Sequence, residues 1–125
     1  MLTEKSSNLF LRIDTRRNHL IFNRAVYYLL GKPPFFMFYW RKDKNALYVA
    51  AQWEEIQHSF AITTHAQKNS NIEILCQRSY LFENLQKRMK WKPGRLYKTY
   101  GSFDTATGMI CFPLENTQIM EGFEE

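Results

Sequence analysis

Cysteine is almost missing from this chain: Cys76 and Cys111 are the only two in 125 residues. They stand apart with no ligand spacing around them, which excludes a cysteine-rich zinc site and a disulfide-built scaffold. Both are expected as reduced, buried thiols on apolar strands, a disulfide between the two halves being the other arrangement open to them. Glycine and proline are scarce too, at five and four residues, and the prolines (Pro33, Pro34, Pro93, Pro113) punctuate the pattern without forming a low-complexity linker. No apolar run approaches the ~20 residues needed to cross a bilayer. The opening stretch MLTEKSSNLFLRIDTRR lacks a charged region followed by a long apolar segment and a small-residue cleavage site. A soluble, cytoplasmic protein with no membrane partner is therefore expected.

Catalytic patterns are equally sparse. His19, His58 and His65 are scattered without metal-ligand spacing. Asp14, Asp43 and Asp104 fall in or beside turns, where carboxylates accept backbone hydrogen bonds, and Glu54 and Glu55 fall in a connector. Nothing local pairs a general acid with a general base. No catalytic residue, metal or cofactor is expected, and the chain is not read as an enzyme.

What is present is apolar and basic. Hydrophobic residues make up 45% and aromatic residues 16% of the chain, enough to close one core, so residues 1–125 are read as a single domain. Seventeen Lys and Arg against twelve Asp and Glu leave a formal charge of +5, which suits an acidic partner such as nucleic acid.

Periodicity divides the chain into two similar units. In the first, LFLRID and HLIF read as strands around the turn TRRN, with Asn18 as its left-handed residue. Asn23 is positioned as an N-cap for a helix over Ala25 to Leu30, with Val26, Leu29 and Leu30 on one face and Gly31 as its stop. Pro33 and Pro34 forbid continuation; FFMFYWR and ALYVAA then form a hairpin around KDKN. From Phe60 the order returns: FAITTH, QKNSN and IEILC read as strand, turn and strand. A helix over Leu81 to Met89 follows, capped by Ser79, then KPGRLYKTYG, FDTATG and MICFPL as a second hairpin. The internal repeat covers 9–52 and 58–114, joined by a connector at about 52–58 and followed by a loose tail, 117–125. One copy alone would expose strand edges, so a mainly β (α+β) pseudo-twofold barrel of two strand-strand-helix-hairpin units is predicted. Its expected core is Leu11, Ile13, Leu20, Phe22, Val26, Leu29, Leu47, Val49, Ile74, Leu85, Ile110 and Phe112.

The order LRIDTRRNHLIFNRAVYYLLGKPPFFMFYWRKDKNALYVAA resembles the swapped-hairpin DNA-binding domain of AbrB-type regulators, and the tandem arrangement is similar to that of MraZ-type proteins. The resemblance is closest over Leu9 to Ala51 and looser from Phe60 to Leu114. It implies a DNA-binding transcriptional regulator in which the first-unit loop and helix start meet duplex DNA. By position that role falls to Arg12, Arg16, Arg17 and Arg24, with Lys68 and Arg78 at matching places in the second unit. Arginine fits the task because its planar fork binds phosphate bidentately and pairs with the O6 and N7 edge of guanine. Asn18 or His19 could add a directional contact.

Blander readings stand beside these. The arginines could be a solvated edge that discourages strand aggregation. The run Lys87, Arg88, Lys90, Lys92, Arg95 and Lys98 could be a solvated face at a helix end or a second phosphate-contacting patch. The aromatic strand FFMFYW suits core or homo-oligomer contact better than stacking on single-stranded bases. The competing function is a protein-binding inhibitor or antitoxin-like module, of the sort carried by phages and mobile elements, that blocks a host nucleic-acid enzyme.

Overall fold

The computed structural model describes residues 9–62, 71–75, 80–115 and 117–120. Lys68, Arg78, Cys76, His65 and Ser79 lie outside the described residues, as do residues 67–70 of the QKNSN turn and the second half of FAITTH. The first unit runs β1 (Leu9–Asp14), β2 (His19–Asn23), α1 (Arg24–Leu29), β3 (Phe35–Arg41), a 3-10 turn (Lys42–Lys44) and β4 (Ala46–Gln52). The second runs β5 (Phe60–Ala61), β6 (Asn71–Leu75), α2 (Tyr80–Met89), β7 (Leu96–Asp104) and β8 (Met109–Pro113), followed by β9 (Gln118–Ile119).

Local chemistry accounts for the breaks. Asn18 adopts φ 59° and Asn45 φ 48°, turning the chain after β1 and before β4. Gly31, at φ 89°, ends α1 while its amide and that of Lys32 donate to the Tyr28 and Tyr27 carbonyls. Asp104 closes the last hairpin by accepting from the Ala106 amide at 3.1 Å and the Thr107 hydroxyl at 3.0 Å.

All strands pair antiparallel in the order β5-β3-β4-β8-β7-β1-β2-β6, with β9 also on β7. Exchanging β1 with β5, β2 with β6, β3 with β7 and β4 with β8 turns the β1–β7 pair into the β3–β5 pair. The same exchange returns β2–β6 and β4–β8 to themselves. The expected pseudo-twofold shows in these pairings, each unit's hairpin docking on the other unit's first strand; the β1–β2 pair has no β5–β6 counterpart among the described residues. β7 bridges the sheet, giving Leu96 to Gly101 to β1 and Ser102 to Asp104 to β8.

The sheet curls into a barrel-like form around aromatic rings. Phe22 on β2 lies 5.5 Å from Phe36 and 5.9 Å from Phe38 on β3, and 5.7 Å from Phe112 on β8, strands far from β2 in the pairing order. Leu9, Leu11 and Ile13 alternate inward from β1, and Val26, Phe82 and Leu85 bring both helices onto the same core.

Several expectations need correction. Leu29 is 45% exposed, and Leu30 at 7% takes its place in the core. On a six-residue helix the buried arc runs from Val26 through Leu30 toward the half-buried Tyr27, which turns Leu29 outward. Cys111 is only partly buried, because β8 alternates and sends Ile110 and Phe112 inward instead; it is a free thiol. The tail is not loose from 117, since β9 pairs Tyr97 with Ile119 and Lys98 with Gln118. Both helices also begin one residue earlier than expected, and Asn23 sits at the N-cap position without making a side-chain cap. Its amide oxygen instead accepts from the Phe10 amide at 3.1 Å, tying the end of β2 to the start of β1.

Candidate nucleic-acid interface

Thr15 determines where the arginine turn sits. Its hydroxyl accepts from the Arg95 amide at 2.8 Å and donates to the Arg95 carbonyl at 2.7 Å, with the Lys92 carbonyl at 3.1 Å. The Thr15 amide donates to the same Arg95 carbonyl at 3.0 Å. A buried side chain thus joins the β1–β2 turn of the first unit to the KPGR loop of the second, across 80 residues of chain. The join gathers Arg16, Arg17, Lys92 and Arg95 at one end of the barrel.

Asp14 is the carboxylate at the centre of this group. It is buried, and it accepts from the Arg16 amide at 2.9 Å and from Arg16 Nε and Nη2 at 3.1 and 3.2 Å. Burial pushes its carboxyl up, but the hydrogen bonds and charge of Arg16 outweigh that and hold it below the ordinary 3.8. Arg16 is therefore committed to Asp14 through two of its nitrogens, which weakens its claim as a phosphate contact. Arg17, Lys92 and the neighbouring Pro93 and Gly94 are exposed.

From this end a second row climbs the outer face of β1 and β7. Alternation turns Phe10 and Arg12 away from the core on β1, and Lys98 and Tyr100 away from it on β7, with Arg12 opposite Lys98 and Phe10 opposite Tyr100. The Lys98 ammonium stands between two rings, 4.6 Å from the centre of Phe10 and 5.0 Å from that of Tyr100. The Arg12 guanidinium lies 4.9 Å from Phe10, and its Nε is buried with no hydrogen-bond partner. Two cations are thus held over aromatic faces, an arrangement that fixes long side chains without neutralising them. Next to them, on β2 and β6, His19 pairs with Glu73, so that carboxylate is already engaged.

Arg24 lies apart from the turn. It opens α1 at the far end of β2, roughly 17 Å of strand from the turn at ~3.4 Å per residue, and its guanidinium is 5.7 Å from the Tyr28 ring. The four arginines do not converge as a single claw: Arg16 and Arg17 stand at one end of the hairpin, Arg12 on its outer face and Arg24 at the other end. Asn18 supplies the turn conformation and His19 meets Glu73.

Sequence reasoning placed Lys92, Arg95 and Lys98 on a separate basic run and passed over Phe10 and Tyr100. The outward alternation of LFLRID and LYKTYG was the signal available for the strand residues. Among the described residues, no group of three or more His, Cys, Asp or Glu side chains is placed to hold a metal, and no helix is long and apolar enough to cross a membrane. No protein-family model, curated protein or solved structure matches the chain.

Proposed function

We propose that this chain is a small duplex-DNA-binding protein of regulator type that meets the phosphate backbone with the Arg17–Lys92–Arg95 end of the barrel and the Arg12–Lys98 row leading from it. The observation that carries this reading is the set of Thr15 hydrogen bonds, which lock basic residues from both units into one surface beside Asp14, a carboxylate already engaged by Arg16. The exchanged hairpins support the same reading, because they are what the resemblance to AbrB-type regulators implies.

The test is fluorescence anisotropy with a labelled duplex across a salt series. Arg17→Gln with Lys92→Gln changes two exposed side chains and should leave the melting temperature in place. Loss of two phosphate contacts would make the slope of log affinity against log salt shallower by ~2. An unchanged slope in the folded double variant moves the contact elsewhere, and absence of binding by the wild type at low salt ends the DNA reading.

One observation favours the protein-binding alternative. Tyr28, Leu29 and Trp53 are all exposed, and Trp53 comes within 3.5 Å of where a Cβ on Gly31 would stand, so the end of α1 and the connector form one aromatic patch. Capture of a single host nucleic-acid enzyme from nuclease-treated lysate, lost with Tyr28→Ser and Trp53→Ser, would support it.

A further inference from the structure

We propose that the cleft between α2 and the β3–β4 turn is a binding site for a nucleoside phosphate, either free or as the terminus of a nucleic-acid strand. Leu81, Asn84, Leu85 and Arg88 recur at i, i+3, i+4 and i+7 and present one face of α2 to Trp40 at the end of β3. Together with Lys42 and Lys87 they line a half-open cleft of about 380 Å³, within the size range of small-ligand sites.

The lining divides by chemistry. Trp40 and the two leucines give an apolar wall, and the Arg88 guanidinium lies 5.9 Å from the centre of the Trp40 ring, so a flat base would stack where indole and guanidinium planes already meet. Lys42, Lys87 and Arg88 give three cations with no carboxylate among the lining residues, which suits a phosphate. Asp43, next to Lys42, is held by Arg41 at 3.1 Å, and Glu83 lines the neighbouring cleft with Trp91 and Pro93. Asn84 adds an amide whose donor and acceptor match the N6 and N7 edge of adenine. A simple anion would leave the wall of Leu81 and Leu85 unused, and an apolar ligand would leave Lys42, Lys87 and Arg88 facing it. A nucleoside phosphate satisfies both halves. The cleft shares no residue with the proposed duplex-binding surface, so the two can fail separately.

The experiment is calorimetric titration of the full chain with AMP, adenosine and inorganic phosphate, and with a short oligonucleotide carrying either a 5′-phosphate or a 5′-hydroxyl. AMP is expected to bind at one site, with adenosine and phosphate each weaker by about tenfold or more. Lys42→Gln and Arg88→Gln, both at exposed side chains, should each weaken AMP by about tenfold while leaving melting temperature and duplex affinity unchanged. Trp40→Leu should abolish the preference for AMP over phosphate. Binding of the 5′-phosphorylated oligonucleotide but not of AMP would assign the site to a strand end. No binding of either, or AMP binding that Lys42→Gln and Arg88→Gln leave intact, overturns the proposal. AMP affinity retained in Arg17→Gln with Lys92→Gln keeps the result independent of the duplex reading.

Discussion

Gly101 marks the point where β7 passes from β1 to β8, and there is no room beside it. A Cβ at this position would fall 2.6 Å from the Cys111 carbonyl oxygen and 2.6 Å from the Phe112 ring, so the restriction is space rather than backbone conformation. Gly101→Ala should lower stability by about 1–3 kcal/mol or more, read as a fall in the urea midpoint. Asp14 makes a different demand. Its carboxyl titrates below 3.8 in the folded chain, so the unfolded chain takes up that proton first on acidification. The contribution is complete above the unfolded value and is lost as pH falls through the lower, folded one. Asp14→Asn should therefore cost about 1–3 kcal/mol near neutral pH, and the gap to wild type in thermal melts should close as pH drops below that range. A gap that stays constant into strong acid would show that the loss is steric.

At the scale of an element, α1 shows how six residues choose a face. Val26 and Leu30 seal against β1 and β2 while Leu29 points away. Leu30→Ala should cost about 2–5 kcal/mol, whereas Leu29→Ala should stay within about 0.5 kcal/mol, both measured by chemical denaturation. Equal losses would mean that the helix sits rotated from this placement. The heptad-like spacing of Val26, Leu29 and Leu30 could not separate the two leucines, since a helix this short has no second turn on which the arc is repeated. α2 is longer, and Leu85, placed in the core from the sequence, is buried there, with Phe82 beside it.

For the whole molecule, the pairing map says that neither half is complete. Without the second unit, β1 loses β7, β2 loses β6, β3 loses β5 and β4 loses β8, which leaves every strand of the first unit with an open edge and opens the ring cluster around Phe22. A fragment of residues 9–52 should show no cooperative thermal transition as a monomer, by circular dichroism on a sample shown monomeric by sedimentation. A sharp transition there would mean that the first unit closes its own core and that the exchange of hairpins is decoration.

Alternating and helical periods, Pro33 and Pro34, and the asparagine and glycine turns are local effects, decided by backbone sterics and by which residues within a few positions are apolar. The chain alone therefore determined a mainly β fold of two like units, most of the strand limits, and a core in which Leu29 was the misplaced member. Contacts between residues far apart leave no such local trace. Only the folded chain put Lys98 between Phe10 and Tyr100, set Arg95 against Thr15, and brought Trp40 to the face of α2. Each depends on which strand or helix lies next to which, and that is chosen by the burial of both units together, a property no segment possesses before the barrel closes.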